Sequence, residues 1–465
     1  MNVFQFKHVG KGLFYSGSIA DEYNFVYDCG TACSEQILKN EISVMNLNSK
    51  TDKIDFAVLS HLDGDYFCGF PYLLRIFRID KIYLPYLGND RELIRFLIFN
   101  AVFKDSLKHD SSKPDSSKHD SSKPDSLKSA GEFGAKAELY AFMCKLYDID
   151  IYIDVSLPFR MPEHKRFLGA DDADVEFSAE KEKTVIRRYR KLEENKLWTF
   201  VFMNKSITKK CFARISEVFS KKFSRYFSDG GSVESGGSVG DISGDSGDNT
   251  GNFDGSVGNN TGNFDCGSVG DNTDNFDCGS VGDNIGKKAF DSASFESYLF
   301  GQVQTPEGFA RLRETYEEIL KSVGAPQNLV CNLLIHYPKK PLCKMYLCEY
   351  KTVSRSYMQS PIHQIDGTIS VLLGDVGVDR MLEEQLYNCG NFSLCGGVLQ
   401  IPYVSVREER VETVSLTRTF KAFVLAADNG TAFKIGRSVL PSLIMHPNKQ
   451  IKVATQSTGI TYFVE

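Results

Sequence analysis

Short apolar runs separated by turns characterise the beginning of the chain. Residues 2–28 have the pattern of three short strands, and apolar side chains recur at helical spacing from about Ser34. The next apolar run, 56–60, has Val and Leu at its centre, as in a buried strand, and 70–77 again has a helix-like pattern. A further strand is predicted at 82–85. Strands and helices therefore alternate, which is typical of an α/β protein.

The end of the chain returns to the same α/β pattern. Strands are predicted at 328–337 and at 368–373, and the second of these runs directly into Gly374 and Asp375. Another strand is predicted at the start of 397–405. These apolar runs are predicted to belong to the same core as the strands and helices at the beginning of the chain.

Two stretches of low complexity lie between these α/β regions. At 105–128 the units Asp-Ser-Ser-Lys-Pro and Asp-Ser-Ser-Lys-His alternate with a period of five residues. At 228–288 a unit of twelve residues rich in Gly, Asp and Asn is repeated. Neither stretch has enough apolar side chains to form a core, so both are predicted to be disordered. The period of twelve also differs from that of the nonapeptide repeats that bind calcium.

The repeats divide the chain into five predicted segments. These are the first half of an α/β domain (1–104), a disordered insertion (105–135), a mainly helical insert (136–227), a second disordered insertion (228–288) and the second half of the α/β domain (289–465). Within the helical insert, the highly charged segment 181–196 is predicted to be a solvated helix.

The candidate chemistry lies in the loop that follows the strand at 56–60. His61, Asp63 and Asp65 occupy alternate positions there, and Gly64 lets the backbone turn between the two acids. Imidazole and carboxylate groups on a short connection between a strand and a helix are suited to binding a divalent cation. In the alternative interpretation no metal is bound: the two acids cap the following helix, and a carboxylate satisfies the histidine.

This loop resembles the signature of the metallo-β-lactamase superfamily, Thr/Ser-His-x-His/Asp-x-Asp-His-x-x-Gly. The matching residues are Ser60, His61, Asp63, Asp65 and Gly69. The form with Asp at the second ligand position most resembles the lactamase-like domain of bacterial DNA-uptake channel proteins. The strand that ends in Gly374 and Asp375 resembles the superfamily motif whose Asp bridges two metals, and 397–405 resembles a later strand end. The resemblance implies an αββα sandwich of two mixed sheets and a metal-dependent hydrolase.

Two tyrosines depart from the superfamily pattern. Tyr66 and Tyr403 stand where the family has histidine ligands, and a phenol with a reference pKa of about 10 is a poor ligand at neutral pH. The metal ligands that the resemblance still implies are His61, Asp63, Asp65 and Asp375, with Asp65 as the candidate catalytic residue. Such a set favours Mg, Mn or Fe(II) over Zn, unless no metal is bound. Without a metal, the two hydroxyl groups are expected to hydrogen-bond Asp65 or Asp375.

No motif supplies a third histidine ligand. His164 and His336 remain as candidates only because no other role is assigned to them. Each has the alternative interpretation of an ordinary surface or core histidine.

Composition limits the partners and the location. The net charge of −6 gives no general attraction to nucleic acids. The 12 cysteines are scattered and form no Cys-x-x-Cys pair, and no apolar run approaches 18 residues. A reduced, cytoplasmic protein without a membrane segment is therefore predicted.

Two classes of function are compatible with the loop. The first is a metal-dependent hydrolase of a phosphodiester or other ester, weak because ligands are lost, or active with a single metal. The second is a non-catalytic member of the superfamily that binds or scaffolds a protein partner. The replacement of histidine by Tyr66 and Tyr403 favours the second class. The sequence does not identify a substrate.

Overall fold

The structure is a computed structural model, and it describes residues 1–104, 125–147, 164–168, 175–178, 184–228, 289–325, 329–340, 344–353, 356–359, 362–365, 367–376, 382, 397–401, 420, 422–426 and 450–465. Tyr403 and the repeats at 105–124 and 229–288 lie outside the described residues. Within the described ranges, no helix combines the length and the apolar character needed to cross a membrane.

Polar caps and a glycine define several helix ends. The Asp90 side chain accepts a hydrogen bond from Leu93 N–H (3.0 Å), and the Thr305 side chain accepts one from Gly308 N–H (3.1 Å). The second of these helices ends at Gly324, whose φ of 59° is a left-handed conformation that suits glycine. The described helices are α1 (Glu35–Asn48), α2 (Gly64–Phe67), α3 (Phe70–Ile76), α4 (Arg91–Phe103), α5 (Asp125–Leu146), α6 (Lys209–Lys222), α7 (Ser292–Gln302) and α8 (Pro306–Val323).

The chain is a mixed α/β protein. Its described strands are β1 (Asn2–Phe6), β2 (Phe14–Ile19), β3 (Tyr23–Cys29), β4 (Lys53–Ile54), β5 (Phe56–Val58), β6 (Arg78–Ile79), β7 (Lys81–Pro85), β8 (His164–Leu168), β9 (Val175–Ser178), β10 (Thr184–Glu194), β11 (Trp198–Ile207), β12 (Phe227–Ser228), β13 (Ala289–Phe290), β14 (Val330–Pro338), β15 (Met345–Val353), β16 (Ser356–Gln359), β17 (His363–Ile365), β18 (Ile369–Leu372), β19 (Gly397–Ile401), β20 (Ala422–Ala426), β21 (Gln450–Ala454) and β22 (Thr458–Val464). Helix α5 begins at Asp125, inside the insertion predicted at 105–135. The predicted end of that insertion therefore lies too far along the chain.

Most strands belong to two mixed sheets. The first has the strand order β16-β15-β22-β1-β2-β3-β5-β7-β8, with β17 also paired to β15. Its strands β3, β5, β7 and β8 are parallel to one another, and its other pairs are antiparallel. The second sheet has the order β21-β20-β19-β18-β14-β11-β10-β9, with parallel pairing from β18 to β21. Strands from both ends of the sequence thus pair within the first sheet, where β1 lies beside β22.

Side chains from the two sheets form one core. Phe25 and Phe56 of the first sheet stack with their ring centroids 5.1 Å apart, and the ring of Phe200 in the second sheet lies 5.0 Å from each. The opposite face of the first sheet is also covered, because Val26 and Ala57 alternate with these aromatic residues and are fully buried. The two sheets therefore pack face to face.

The described residues of 136–227, which the sequence predicts as a mainly helical insert, include four strands. They contain β8 to β11 as well as the end of α5 and all of α6, and β11 lies within the second sheet between β10 and β14. In β11, Trp198 and Phe200 belong to the core between the sheets, whereas Val201 and Met203 belong to the core on the opposite face. This alternation is that of a strand buried on both faces. The charged segment 181–196, predicted as a helix, contains β10. The prediction failed because charge density alone does not distinguish a strand from a helix.

The described residues of the unit 225–291 are 225–228 and 289–291. In its described part, β12 and β13 pair as a short antiparallel ladder with Ser228 opposite Ala289. The first and last residues of the 229–288 segment are therefore attached to neighbouring positions of one ladder.

Candidate functional site

The predicted loop follows the carboxyl end of β5, which pairs in parallel with β3 and β7. His61 and Asp63 lie directly after the strand, Asp65 lies in the short helix α2, and Gly69 precedes α3. The carboxyl ends of parallel strands meet at one edge of a sheet. The loop therefore lies beside Asp28 near the end of β3.

Two glycines allow α2 to approach the first strands of the sheet. A Cβ atom on Gly30 would lie 2.5 Å from the carbonyl oxygen of Asp65, and a Cβ atom on Gly12 would lie 2.4 Å from the same oxygen. A larger residue at either position would displace α2. These two glycines therefore permit the backbone of Asp65 to lie close to the first strands.

A buried amide on the second sheet holds the loop after β5. The Asn332 side chain donates from Nδ2 to Leu59 O (3.0 Å), and its backbone N–H donates to Ser60 O (2.7 Å). Its Oδ1 atom accepts a hydrogen bond from the Asn204 side chain (3.0 Å). Because these groups are buried, losing one would leave its partners unsatisfied.

A second buried amide brings Asp375 to the same place. The backbone of Gly374 has a φ of 60°, and a Cβ atom there would lie 2.7 Å from Ser60 Cβ. Gln400 accepts a hydrogen bond from Leu373 N–H (2.7 Å) and donates one to Gly374 O (2.9 Å). The turn that leads into Asp375 therefore contacts the loop after β5, although the two lie far apart in sequence.

The two acids of the loop are buried and contact lysines. Lys104 Nζ donates a hydrogen bond to Asp63 Oδ2, and Lys11 Nζ lies 3.4 Å from Asp65 Oδ2. Burial and the neighbouring Asp65 raise the pKa of Asp63 well above its ordinary value, against the opposing effect of Lys104. Burial also opposes ionisation of Asp65, but the adjacent Asp63 and the two ammonium groups hold the pKa of Asp65 below its ordinary value. The two carboxyl groups are therefore coupled, and they ionise as a pair beside two ammonium groups.

His61 is neutral at ordinary pH. Burial and the charge of Lys104 lower the pKa of His61 to about 3, although Asp65 acts in the opposite direction. Its Nδ1 atom lies 2.7 Å from the Ser60 hydroxyl, and its ring packs against Tyr66 with the centroids 4.2 Å apart. Among the described residues, Nε2 has no hydrogen-bond partner. When Nδ1–H donates to Ser60, Nε2 presents a lone pair to the site.

Asp28 belongs to the site and was not identified as a site residue from the sequence. It is fully buried with a φ of 54°, and its Oδ1 atom accepts a hydrogen bond from Ser60 N–H (2.7 Å). Burial raises the pKa of Asp28 well above its ordinary value; the Ser60 hydrogen bonds oppose this effect, and the charge of Asp375 adds to it. The sequence signal for Asp28 was the Asp-Cys-Gly at a strand end. This signal was insufficient, because neither burial nor a left-handed backbone can be inferred from three residues.

The donor types at the site suit a hard cation, but their arrangement does not complete a metal centre. Buried side-chain atoms without a hydrogen-bond partner in the described part of the chain include His61 Nε2, Asp28 Oδ2, Asp63 Oδ1 and Asp65 Oδ1. One nitrogen and three carboxylate oxygens are ligands that Mg or Mn accepts. However, no three His, Cys, Asp or Glu side chains among the described residues are arranged to hold a metal ion.

The leftover histidine His336 lies in the core and not at the site. Trp198 Nε1 donates to its Nδ1 atom (3.0 Å), and its Nε2 atom lies 2.7 Å from the Tyr15 hydroxyl. Burial lowers the pKa of His336 to about 3, so the ring is a neutral member of a buried network. His164 is the first residue of β8 and lies opposite Lys81 of β7 in the ladder.

Tyr66 does not hydrogen-bond the carboxylates as expected. In the described part of the chain its hydroxyl makes no hydrogen bond to Asp65 or Asp375, whose charges add to the effect of burial in raising its pKa. Its ring packs on His61 instead, and lysines contact the acids of the loop. The corresponding prediction for Tyr403 falls outside the described residues.

No protein-family model matches this sequence. The comparison with curated proteins also gives no match.

Proposed function

We propose that the chain is a member of the metallo-β-lactamase superfamily with the αββα sandwich of that class. The proposal is supported by two mixed sheets that share a core and by the covered opposite face of the first sheet. It is also supported by the meeting of two motif regions that the superfamily places together, the loop of His61 and the turn before Asp375.

The function that the site supports best is that of a non-catalytic binding or scaffold protein with a degenerate metal centre. The observation that carries this conclusion is the contact of Lys104 with Asp63, joined by that of Lys11 with Asp65. In an active metal centre these carboxylates would coordinate cations. Here ammonium groups neutralise part of their charge, and Tyr66 replaces one of the expected imidazoles. The partner is proposed to be another protein.

A second candidate is a hydrolase of a phosphodiester or other ester with a single divalent metal. It is supported by the buried atoms that lack a hydrogen-bond partner among the described residues, above all His61 Nε2, Asp63 Oδ1 and Asp65 Oδ1. Such buried polar atoms are costly, and a cation is one way to satisfy them. His61, Asp63, Asp65 and Asp375 would then be the ligands, and Mg, Mn, Fe or Zn the metal.

Elemental analysis of the purified full-length protein separates the two candidates. We expect less than about one tenth of an equivalent of metal per chain, because ligand number and geometry set metal affinity. We also expect no hydrolysis of bis(p-nitrophenyl) phosphate above the background of a His61→Ala variant, with or without added Mn²⁺. About one equivalent of metal that is lost in His61→Ala, together with hydrolysis lost in the same variant, would establish the hydrolase.

The proposed location is the cytoplasm. The seven cysteines in the described part of the chain are free thiols, and four of them are buried, namely Cys29, Cys144, Cys331 and Cys348. Burial raises the pKa of Cys29 and Cys331, which keeps these thiols protonated and unreactive. Such thiols are typical of proteins in reducing compartments.

A further inference from the structure

The candidate site contains two ammonium groups at the carboxylates that would otherwise be metal ligands. Lys104 Nζ donates to Asp63 Oδ2, and Lys11 Nζ lies 3.4 Å from Asp65 Oδ2. We propose that Lys104, assisted by Lys11, is a built-in counter-cation that excludes a divalent metal ion from this site. The inference rests on the proposed function, since it takes the loop to be a degenerate metal centre.

The backbone of Lys104 is fixed by a buried helix. Lys104 caps the end of α4, and its N–H donates to Asn100 O (2.9 Å). Most residues of α4 are buried, and Arg95 on this helix pairs with Glu296 of α7 at 3.3 Å. The base of the lysine side chain therefore has little freedom, which lowers the entropy lost when its ammonium group binds Asp63.

The backbone of Lys11 is fixed by a tight turn. It lies between Gly10 and Gly12, which have φ values of 78° and 122°. Its carbonyl oxygen accepts a hydrogen bond from Ala32 N–H (2.7 Å). Both ammonium groups are thus carried by ordered backbone, and each contacts a different acid of the loop of His61.

Electrostatics make an ammonium and a divalent cation alternatives at this site. Each lysine engages one oxygen of a buried acid, and a metal ion near the same acid would be repelled by the ammonium charge. The remaining donors are not consumed, because His61 Nε2, Asp63 Oδ1 and Asp65 Oδ1 have no hydrogen-bond partner in the described part of the chain. Removal of the lysine charge would therefore leave one nitrogen and two carboxylate oxygens that a metal ion could draw together, although they are not arranged around one point in this structure.

The test is metal binding by lysine variants of the full-length protein. Lys104→Met, Lys11→Met and the double variant keep the length of the side chain and remove its charge. After treatment with a chelator, each protein is titrated with Mn²⁺ and separately with Zn²⁺ by calorimetry. We expect no saturable binding by the wild type. The double variant is expected to bind one equivalent of metal with an affinity at least about tenfold above the detection limit set by the wild type. Of the two single variants, Lys104→Met is expected to show the larger gain in metal affinity.

Two controls assign any gain to the site. Lys50→Met removes an ammonium that pairs with Asp21 at 2.7 Å on the surface, so it should bind no metal. His61→Ala in the double variant should abolish the gain. Urea unfolding checks that each variant is folded, and Lys104→Gln replaces Lys104→Met if the latter is not.

The outcomes distinguish this inference from the proposed function. A folded lysine variant that binds no metal, beside a wild type that also binds none, would overturn the counter-cation inference and leave the non-catalytic proposal in place. Tight stoichiometric binding by the wild type would overturn both. A gain that survives His61→Ala would place the metal elsewhere and also overturn the inference.

Discussion

At the scale of single residues, the site is governed by buried acids with too little positive charge around them. Lysines contact Asp63 and Asp65, but the described contacts of the Asp28 carboxyl are hydrogen bonds from Ser60. An ionised carboxylate without a counter-charge is strongly disfavoured in a protein interior. The Asp28 carboxyl therefore retains its proton to a much higher pH than an exposed acid does.

Replacing Asp28 by asparagine, its neutral isostere, should stabilise the protein. The pKa of this carboxyl is higher in the folded state than in the unfolded state. Its protonation therefore stabilises the folded protein fully at a pH below the unfolded-state pKa, and this stabilisation is lost as the pH rises towards the folded-state pKa. Asp28→Asn removes that loss, keeps an acceptor for Ser60 N–H and tolerates the φ of 54°. We expect the free energy of unfolding to rise by about 1–3 kcal/mol at pH 7 and to be nearly unchanged at pH 3. Urea unfolding at both pH values measures this.

Asp21 provides a matched control for that substitution. It also has a left-handed backbone, with a φ of 59°, but it is partly exposed and pairs with Lys50. A hydrogen bond from Lys50 lowers the pKa of Asp21, so Asp21→Asn should be neutral or slightly destabilising, within about 0.5 kcal/mol. Two outcomes would contradict the prediction: equal changes in the free energy of unfolding for Asp28→Asn and Asp21→Asn, or a loss of stability in Asp28→Asn that grows with pH. Either would show that Asp28 is ionised in the folded protein and that its charge is compensated there.

At the scale of secondary-structure elements, the sequence predicted local structure well and distant partners poorly. The strand before His61 and the helix after Gly69 were predicted from apolar spacing, and they are β5 and α3. The contact of the Asp375 turn with this loop was expected only through the resemblance to a known family. Lys104 was not identified as a site residue, because its contact depends on how α4 packs and not on nearby sequence.

The error at β10 and β11 has the same physical origin. The alternating burial of Trp198 and Val201 depends on a strand being covered on both faces, and the covering residues lie elsewhere in the chain. In a continuous apolar run, strand and helix periods cannot be separated locally. The charges of β10 add no directional information, since charged side chains occur on exposed faces of either element.

The turn between β18 and Asp375 should be intolerant of a side chain. Gly374→Ala would force alanine into a φ of 60° and would place its Cβ atom 2.7 Å from Ser60 Cβ. The left-handed conformation costs about 1–2 kcal/mol for a residue with a Cβ atom, and the steric conflict adds to it. We expect the free energy of unfolding to fall by at least about 2 kcal/mol in urea titrations.

Gly64 is the comparison for this turn. A Cβ atom on Gly64, at the start of α2, would meet its nearest neighbour, Ala101 O, at 3.5 Å, an ordinary contact. Gly64→Ala should therefore change the free energy of unfolding by less than about 0.5 kcal/mol, or raise it through helix propensity. Similar losses in Gly64→Ala and Gly374→Ala would mean that the close approach of Gly374 to Ser60 does not matter for stability.

At the scale of the whole molecule, the main domain is assembled from distant parts of the chain. β1 pairs with β22, and β11 pairs with β14 across the segment that holds the second repeat. Such long-range pairing has an entropic cost, because the intervening chain must be closed into a loop. The ladder of β12 and β13 limits this cost by bringing together the two ends of 229–288.

Removal of the second repeat should therefore leave the main domain folded. Ser228 and Ala289 are paired in an antiparallel ladder, so replacing 229–288 by Asn-Gly would join them through a two-residue hairpin turn. Closure entropy changes by about 0.6 kcal/mol for each doubling of loop length. We thus expect a single cooperative urea transition with a free energy of unfolding equal to that of the wild type or up to about 3 kcal/mol higher.

Phe200→Ala in the shared core serves as the contrasting variant and should lower the free energy of unfolding by about 3–5 kcal/mol. Loss of cooperativity in the deletion variant, or a fall comparable to that of Phe200→Ala, would mean that the repeat contributes contacts to the fold and is not an insertion.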